Sequence, residues 1–285
     1  MSNTRRCVIF GASGKTGQLL VKRIASKGYN VVNVSRKQSS VLGLPGKSYV
    51  ADLTIPDSFK NLLKKNDLVI NIAHARYTEA ILENCPTSIH QLIVLGSTRH
   101  LTKFPDKAAE EVKNAMAQLK EWNGYWTMLH PTMIYGASGE NNIQRMAHLI
   151  KKFKFIPLPN MGKSLIQPIH VEDVVSAILL AVSNQKCTKE NILIAGPKPL
   201  PYKEFIKKIA NASGSRCLVL PMNNYFIQIL ATLTQYLPFL PSVTRSEVER
   251  LMEDKNINKQ KMTKSLGLAP RELEEGLKEL FRFQQ

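Results

Sequence analysis

Residues Val8 to Leu20, VIFGASGKTGQLL, run an apolar strand into a glycine-spaced turn and then into a helix, and few folds accept that order. The triplet Gly14-Lys15-Thr16 resembles the end of a phosphate-cradling P-loop. That loop requires G-x-x-x-x-G-K-[ST], which sets its first glycine at position 9. Position 9 is Ile9, in mid-strand, so the cradle cannot form. The spacing Gly11, Gly14, Gly17 fits a dinucleotide-binding turn instead. Gly11 permits the tight turn, Gly14 lets a diphosphate approach the backbone, and Gly17 lets the helix pack on the strand. The free amides that open a helix over 15–27 then face the phosphates, with Ser13, Lys15 and Thr16 beside them and the helix dipole assisting.

The surrounding sequence supplies the context that such a turn needs. Over the first 155 residues, β-branched runs alternate with helix-like segments, as in a parallel sheet covered on both faces. The strands are RRCVIF, YNVVNVS, SYVAD, DLVINIA, HQLIVLG and YWTMLH, read as apolar runs buried on both sides. Helices are predicted over 15–27, 55–65, 77–84 and 105–122, with Pro56 and Pro105 in first-turn positions and Gly28 as a helix stop. Beyond residue 140 come a proline-rich loop and strand region, a helix over 171–182, the strand NILIAG, and a helix within PLPYKEFIKKIANASG. The tail from Met222 reads as wholly helical. The expectation is a doubly wound α/β Rossmann sheet over residues 1–155, completed by strands and a helix from 164–196. A smaller, mainly helical substrate-binding region follows over 197–285.

Composition narrows the function classes. Apolar residues make up 44% and charged residues 21% of the 285, ordinary values for a globular chain. No uninterrupted apolar stretch is long enough to span a bilayer, and no signal-peptide core precedes the first strand, so a cytoplasmic protein is expected. Cys7, Cys85, Cys187 and Cys217 are scattered, without a C-x-x-C pair, and are expected to be reduced. The six histidines lack paired spacing, with His74, His90, His100 and His130 near strand ends, so no metal is implied. The net charge of +17 attracts polyanions, but no nucleic-acid motif accompanies it. Specific nucleic-acid recognition is not expected. Charge and the apolar run 225–241, YFIQILATLTQYLPFLP, leave peripheral attachment to an acidic membrane as a minor reading, with a core or cleft helix as its plainer alternative.

The end of the second strand selects between NAD and NADP. An acidic residue there would bind the ribose hydroxyl, and a cation accommodates the 2′-phosphate. The strand VVNVS ends in Ser35-Arg36-Lys37. Arg36 can clamp a phosphate through two parallel hydrogen bonds and stack on adenine, with a solvated surface residue as the plainer alternative. NADP(H) is therefore expected over NAD(H), with Lys37 and Lys15 adding charge. Asp52 ends SYVAD, is followed by Leu53, and is expected to accept from the adenine amino group. Ala73 and His74 end VINIAH at the carboxyl edge of the sheet, where ligands bind.

Taken in order, G-x-x-G-x-x-G at 11–17, the pair Asp52-Leu53, NIAH at 71–74, LGST at 95–98, HPTMIYG at 130–136, PIHVEDVV at 168–175 and the ending KSLGLAPRELEEGLKEL resemble the short-chain dehydrogenase/reductase superfamily. The likeness is to its extended or atypical branch, epimerase/dehydratase-like and NmrA-like. The resemblance implies a tyrosine four residues before a lysine, with a serine or threonine nearby. The tyrosine moves a proton at the reacting oxygen, the lysine lowers its pKa and holds the nicotinamide ribose, and the hydroxyl positions the substrate. Ser97 and Thr98 keep the hydroxyl position and Lys107, followed by Glu111, keeps the lysine. Pro131 and Ile134 fall at the cofactor position. Lys103, however, stands where tyrosine is expected. Tyr135 and Tyr77 are candidate substitutes from neighbouring loops, with a structural place in the Tyr135-Gly136 turn as the plainer alternative for Tyr135.

Two functions follow. One is an NADP(H)-dependent reductase, dehydrogenase or epimerase acting on a small molecule that the sequence does not identify. The other is a non-catalytic NADP(H)-binding sensor, assembly factor or scaffold, the path that the resemblance associates with NmrA-like regulators and with the NADPH-binding accessory subunit of respiratory complex I.

Overall fold

The computed structural model describes residues 5–86, 88–137, 141–184, 187–223, 227 and 245–282. Its strands are β1 (Arg6–Phe10), β2 (Asn30–Ser35), β3 (Lys47–Val50), β4 (Leu68–Asn71), β5 (Gln91–Leu95), β6 (Trp126–Pro131), β7 (Ile134–Tyr135), β8 (Phe155–Leu158), β9 (Leu165–Ile166), β10 (Ile169–His170), β11 (Glu190–Ile194), β12 (Leu200–Pro201) and β13 (Leu218–Pro221). Its helices are α1 (Lys15–Ser26), α2 (Thr78–Glu83), α3 (Lys107–Glu121), α4 (Asn141–Phe153), α5 (Val171–Ser183), α6 (Tyr202–Ala212), α7 (Arg245–Leu251) and α8 (Leu273–Arg282).

Seven parallel strands form the central sheet in the order β11-β6-β5-β4-β1-β2-β3. This is a Rossmann-like α/β fold. Successive side chains of β1 point to opposite faces, which is why a continuous apolar run is needed. Cys7 and Ile9 pack with Leu20, Ile24, Val174 and Ile178 of α1 and α5. Val8 and Phe10 join Phe59, Ile81, Val112 and Leu119 on the other face. A third core joins α4, α6 and α8 around Tyr135, Ile150, Phe205 and Leu277. β3 breaks the expectation of double burial because it is the last strand of the sheet, and most of its side chains are exposed.

Two helical expectations are corrected. Only a single 3₁₀ turn, Pro56–Phe59, forms within 55–65. Lys60 turns to extended backbone, and Asn61 adopts φ of +62°, a left-handed conformation that stops propagation. Pro105 stands one residue before the cap of α3 rather than in its first turn, because the Asp106 carboxylate accepts from the Ala109 amide at 3.0 Å. The tail is also not wholly helical. Between α7 and α8 the chain is stitched to β9 and the residue after it instead: Lys255 N–H donates to Leu165 O and Ile257 N–H to the Gln167 side chain, each at 2.9 Å. The run 225–241, apart from Ile227, lies outside the described residues.

Gly28 has φ of +83° and ends α1 as expected. Among the described residues no helix is long and apolar enough to cross a membrane, and no His, Cys, Asp and Glu cluster has the geometry of a metal site. The four cysteines are free thiols, and burial pushes the Cys85 thiol up to about 12.

Candidate functional site

The sheet order reverses between β1 and β4, and a cleft of about 320 Å³ opens at the carboxyl ends of the strands there. The glycine turn forms its floor. Gly11 has φ of +89°, and a Cβ on it would lie 2.7 Å from the Ala73 amide nitrogen. A Cβ on Gly17 would overlap the Gly11 carbonyl oxygen. Gly14 caps α1 without any side chain, and no acidic residue stands in the first turn. The helix therefore presents free amides and the positive end of its dipole to the cleft. Buried Asn71 shapes the facing loop, accepting from Ala73 N–H and donating to His74 O, both at 3.1 Å.

Eight residues assigned to the cofactor from sequence line this one cleft. Gly11, Ser13 and Gly14 come from the turn, Arg36 from the end of β2, Asp52 and Leu53 from the loop after β3, and Ala73 and His74 from the loop after β4. Asp52 lies beyond the end of β3 rather than within it. Its carboxylate accepts from the Thr54 amide and hydroxyl at 2.9 and 2.8 Å, bonds that hold its pKa below the usual range, with the Arg36 charge as a smaller contribution. Ser35 fixes the turn beneath Arg36 by donating to Lys37 O at 2.8 Å. The Arg36 guanidinium is exposed and makes no hydrogen bond or salt bridge among the described residues. Lys15, Thr16 and Gly17 lie on α1 beside the cleft without lining it, and Lys37 is likewise not part of its wall.

These features fit a dinucleotide. The glycines leave space that a Cβ would fill, the helix amides are free, and an unengaged guanidinium stands where the adenosine ribose would end.

The residues expected to border the chemistry are dispersed. Ser97 accepts from the Arg99 amide at 3.1 Å, and the Thr98 hydroxyl donates to Pro131 O at 3.2 Å. Lys107 opens α3 with its side chain exposed, and Lys103 is also exposed. The Lys103 amide donates to the Glu253 carboxylate, which also receives the Thr102 hydroxyl at 2.8 and 2.9 Å. Tyr135 is 1% exposed, stacks edge-on with His170 at 5.1 Å and faces Gly276 of α8, away from the cleft lining. Burial raises its pKa, chiefly by desolvation. Pro131 is buried at the end of β6, and Ile134 packs against the α1–α5 core; neither lines the cleft. Tyr77 does line it, but its hydroxyl receives the Arg76 guanidinium at 2.7 Å.

Sequence reasoning missed Arg76. Its guanidinium lies 4.7 Å from the centre of the Tyr77 ring and 4.0 Å from Glu111, and Glu111 is 3.8 Å from His74 Nδ1. Burial lowers the His74 pKa, opposed by Glu111 and assisted by Arg76 and Arg99. The signal was a cation two residues past His74, in the segment that follows the fourth strand. The ion cluster of Arg99, Asp106 and Arg250 was also missed; Arg250 reaches Asp106 at 3.1 Å, and no local pattern links residues so far apart in sequence.

Residues 11–152, about half of the chain, match a family model described as NAD(P)H-binding. The chloroplast stem-loop binding protein of 41 kDa b of Arabidopsis thaliana is 26% identical over 75% of this chain and 64% of its own length. Subunit 9 of the NADH dehydrogenase [ubiquinone] 1 alpha subcomplex of Dictyostelium discoideum is 23% identical over 78% of this chain and 68% of its own. The chain thus spans about two thirds of the length of these relatives. Among solved structures, a UDP-glucose 4-epimerase of Thermotoga maritima superposes with a TM-score of 0.73 at 15% identity, covering 98% of this chain and 99% of that one. The dTDP-glucose 4,6-dehydratase of Bacillus anthracis, solved with NAD, gives 0.71 at 15% identity, covering 98% and 96%. Both show the shared fold.

Proposed function

From the premise that this chain carries an NAD(P)H-binding domain and resembles the atypical short-chain dehydrogenase/reductases, we propose that it binds NADP(H) in the cleft at Gly11 and Arg36 and holds it without phenol-dependent hydride chemistry. Arg36 receives the 2′-phosphate, the α1 amides hold the diphosphate, and Asp52 and Leu53 border the adenine. Ala73 and His74 flank the far half of the coenzyme, which would supply or accept hydride at its nicotinamide.

One observation carries the non-catalytic part. Among the described residues no tyrosine stands at the expected place beside Ser97: position 103 is lysine, Tyr135 is buried beneath α8, and Tyr77 lines the cleft with its hydroxyl accepting from Arg76. The Ser97 hydroxyl oxygen accepts from the Arg99 amide and the Thr98 hydroxyl donates to Pro131 O, bonds that support a structural role for both. The relatives named for stem-loop binding and for membership of an NADH dehydrogenase are consistent with a sensor, assembly factor or scaffold.

Two measurements test this reading. Calorimetry should detect NADPH binding with a clear preference over NADH. A panel of carbonyl compounds and nucleotide sugars, followed by nicotinamide absorbance, should then give no turnover. Turnover that disappears in Lys103→Ala or Lys107→Ala while NADPH still binds overturns the proposal and restores the reductase, dehydrogenase or epimerase.

A further inference from the structure

The small parallel sheet β8–β13 presents a face that the dinucleotide cleft does not explain. Leu218 pairs with Phe155, and both are exposed, at 63% and 46%. Pro157 and Leu220, two residues further along each strand, share that face and are half-buried. Met161, in the turn Pro159–Gly162 that packs beside β13, is 52% exposed. Three of the nine exposed large hydrophobic residues among those described thus fall on one small element. Such a concentration marks a contact surface.

Cations border it. α4 runs directly into β8 through Lys154, whose φ of +60° makes the turn and whose amide donates to Ile150 O at 2.8 Å. Lys151, Lys152, Lys154 and Arg216 are all exposed. Lys152 Nζ lies 5.2 Å from the centre of the Phe153 ring, and that ring is 6.4 Å from Phe155. The sequence contains no Asp or Glu over 141–171 or over 205–246, and the β8–β13 pairing brings these two acid-free stretches side by side. Within these stretches Lys208 is paired with Glu274 of α8, whereas Lys151, Lys152, Lys154 and Arg216 make no salt bridge among the described residues.

We propose that this face is a docking surface for an anionic lipid bilayer. Leu218, Phe155 and Met161 enter the acyl boundary, and Lys151, Lys152, Lys154 and Arg216 meet the phosphate headgroups. Interfacial binding needs both apolar insertion and attraction to anionic lipid, and the face offers both. The exposed side chains are aliphatic or thioether apart from Phe155. A nucleic-acid platform would instead interleave several aromatic rings with its cations, since bases are held by stacking. Residues 217–244 also contain no charged residue, so the chain that continues from β13 adds nothing that repels lipid.

The test is co-sedimentation of the full chain with vesicles of phosphatidylcholine alone or mixed with phosphatidylglycerol. Binding should require phosphatidylglycerol and fall as salt is raised. Each cation near an anionic surface is worth about fivefold in partitioning, so reversing Lys151, Lys152 and Lys154 to Glu, which removes three attractions and adds three repulsions, should weaken binding by more than about a hundredfold. Leu218→Ser should weaken binding even where phosphatidylglycerol is abundant. NADPH binding serves as the check of folding, because none of these residues lines the cleft. Should the triple reversal fail that check, replacement of the same lysines by Gln takes its place. Equal binding to both vesicles, binding indifferent to these substitutions, or no vesicle binding overturns the proposal. So does lysine-dependent capture of a hairpin RNA without vesicle binding, or a Leu218-dependent dimer that ignores lipid.

Discussion

Truncating Arg36 separates the two coenzymes cleanly. The guanidinium makes no hydrogen bond or salt bridge among the described residues, so Arg36→Ala breaks no native contact and leaves no buried group unpaired. The turn beneath it is held by Ser35 and persists. What disappears, on the proposed NADP(H) reading, is the contact with the 2′-phosphate. A charge-assisted hydrogen bond contributes about 1.5–3 kcal/mol, and solvent exposure keeps this one in the lower half of that range. The expected loss for NADPH is about 1.5–2 kcal/mol, roughly a tenfold to thirtyfold rise in Kd. NADH lacks the phosphate, so its loss is confined to stacking and stays under about threefold. Asp52 remains ionised in the variant, because Thr54 rather than Arg36 is the main cause of its lowered pKa. Calorimetry of the wild type and variant with both coenzymes, at two ionic strengths, reads the difference directly. The NADPH penalty should shrink as salt rises. Equal weakening of both coenzymes, or a wild type that prefers NADH, refutes the reasoning.

Three further outcomes follow from the geometry. Gly11→Ala imposes a left-handed backbone on a side chain and drives its Cβ toward the Ala73 amide, so urea unfolding should show a loss of about 2 kcal/mol or more, with NADPH binding abolished; a wild-type midpoint contradicts the close approach. The Tyr135 hydroxyl is buried without a hydrogen-bond partner among the described residues, so Tyr135→Phe should leave stability unchanged or raise it by up to about 1 kcal/mol, with NADPH affinity intact; a clear loss of stability contradicts that environment. His130 and His170 are 0% and 4% exposed, and burial lowers each from 6.5 to about 4. Each is neutral in the fold while the unfolded chain takes up a proton, so their contribution is complete above about pH 6.5 and declines as pH falls toward 4. Over that decline each removes up to about 1.4 kcal/mol per pH unit, and His170→Gln should flatten the urea-midpoint profile between pH 6.5 and 5. An unchanged slope contradicts the assignment for His170.

What the sequence revealed depended on how local the cause was. The turn Gly11–Gly17, the helix stop at Gly28 and the β1 run are each decided by residues within a few positions, and each reads directly. Arg36 and Asp52 could be placed on the cleft wall from sequence because strand ends in a parallel sheet converge at one edge, which is a property of the topology. The segment 55–65 has helical texture, yet Phe59, Leu62 and Leu63 must all reach the core that covers β1 and β4, and a left-handed Asn61 lets a non-helical path do so. Local pattern gives no sign of such a tertiary demand.

The tyrosine position shows the same limit from the other side. Sequence registers Lys103 only as a departure, a missing proton donor, and leaves open whether chemistry has moved elsewhere. The structure gives the surrounding loop a different set of attachments. Glu253 receives the Thr102 hydroxyl and the Lys103 amide, while Asp106 gathers both Arg99 and Arg250. Asp106 is held below its usual pKa, with burial opposing and the Arg99 hydrogen bond, the Ala109 amide and Arg250 favouring the charged form. Lys255 adds a third cation, its pKa lowered mainly by burial, donating to Arg250 O at 3.1 Å. A reductase of this fold needs the loop between its hydroxyl residue and its lysine to face a substrate. Here that loop is bonded to the chain at 250–255, about 150 residues away in sequence, through charged groups that lose strength if the loop lifts. A tyrosine restored at position 103 would therefore meet an anchored backbone, and Lys103→Tyr alone should yield no turnover. Lys103→Tyr combined with Glu253→Ala, which removes the anchor, should show nicotinamide-linked turnover that neither single variant shows, and an inactive double variant contradicts the role given to the anchored loop.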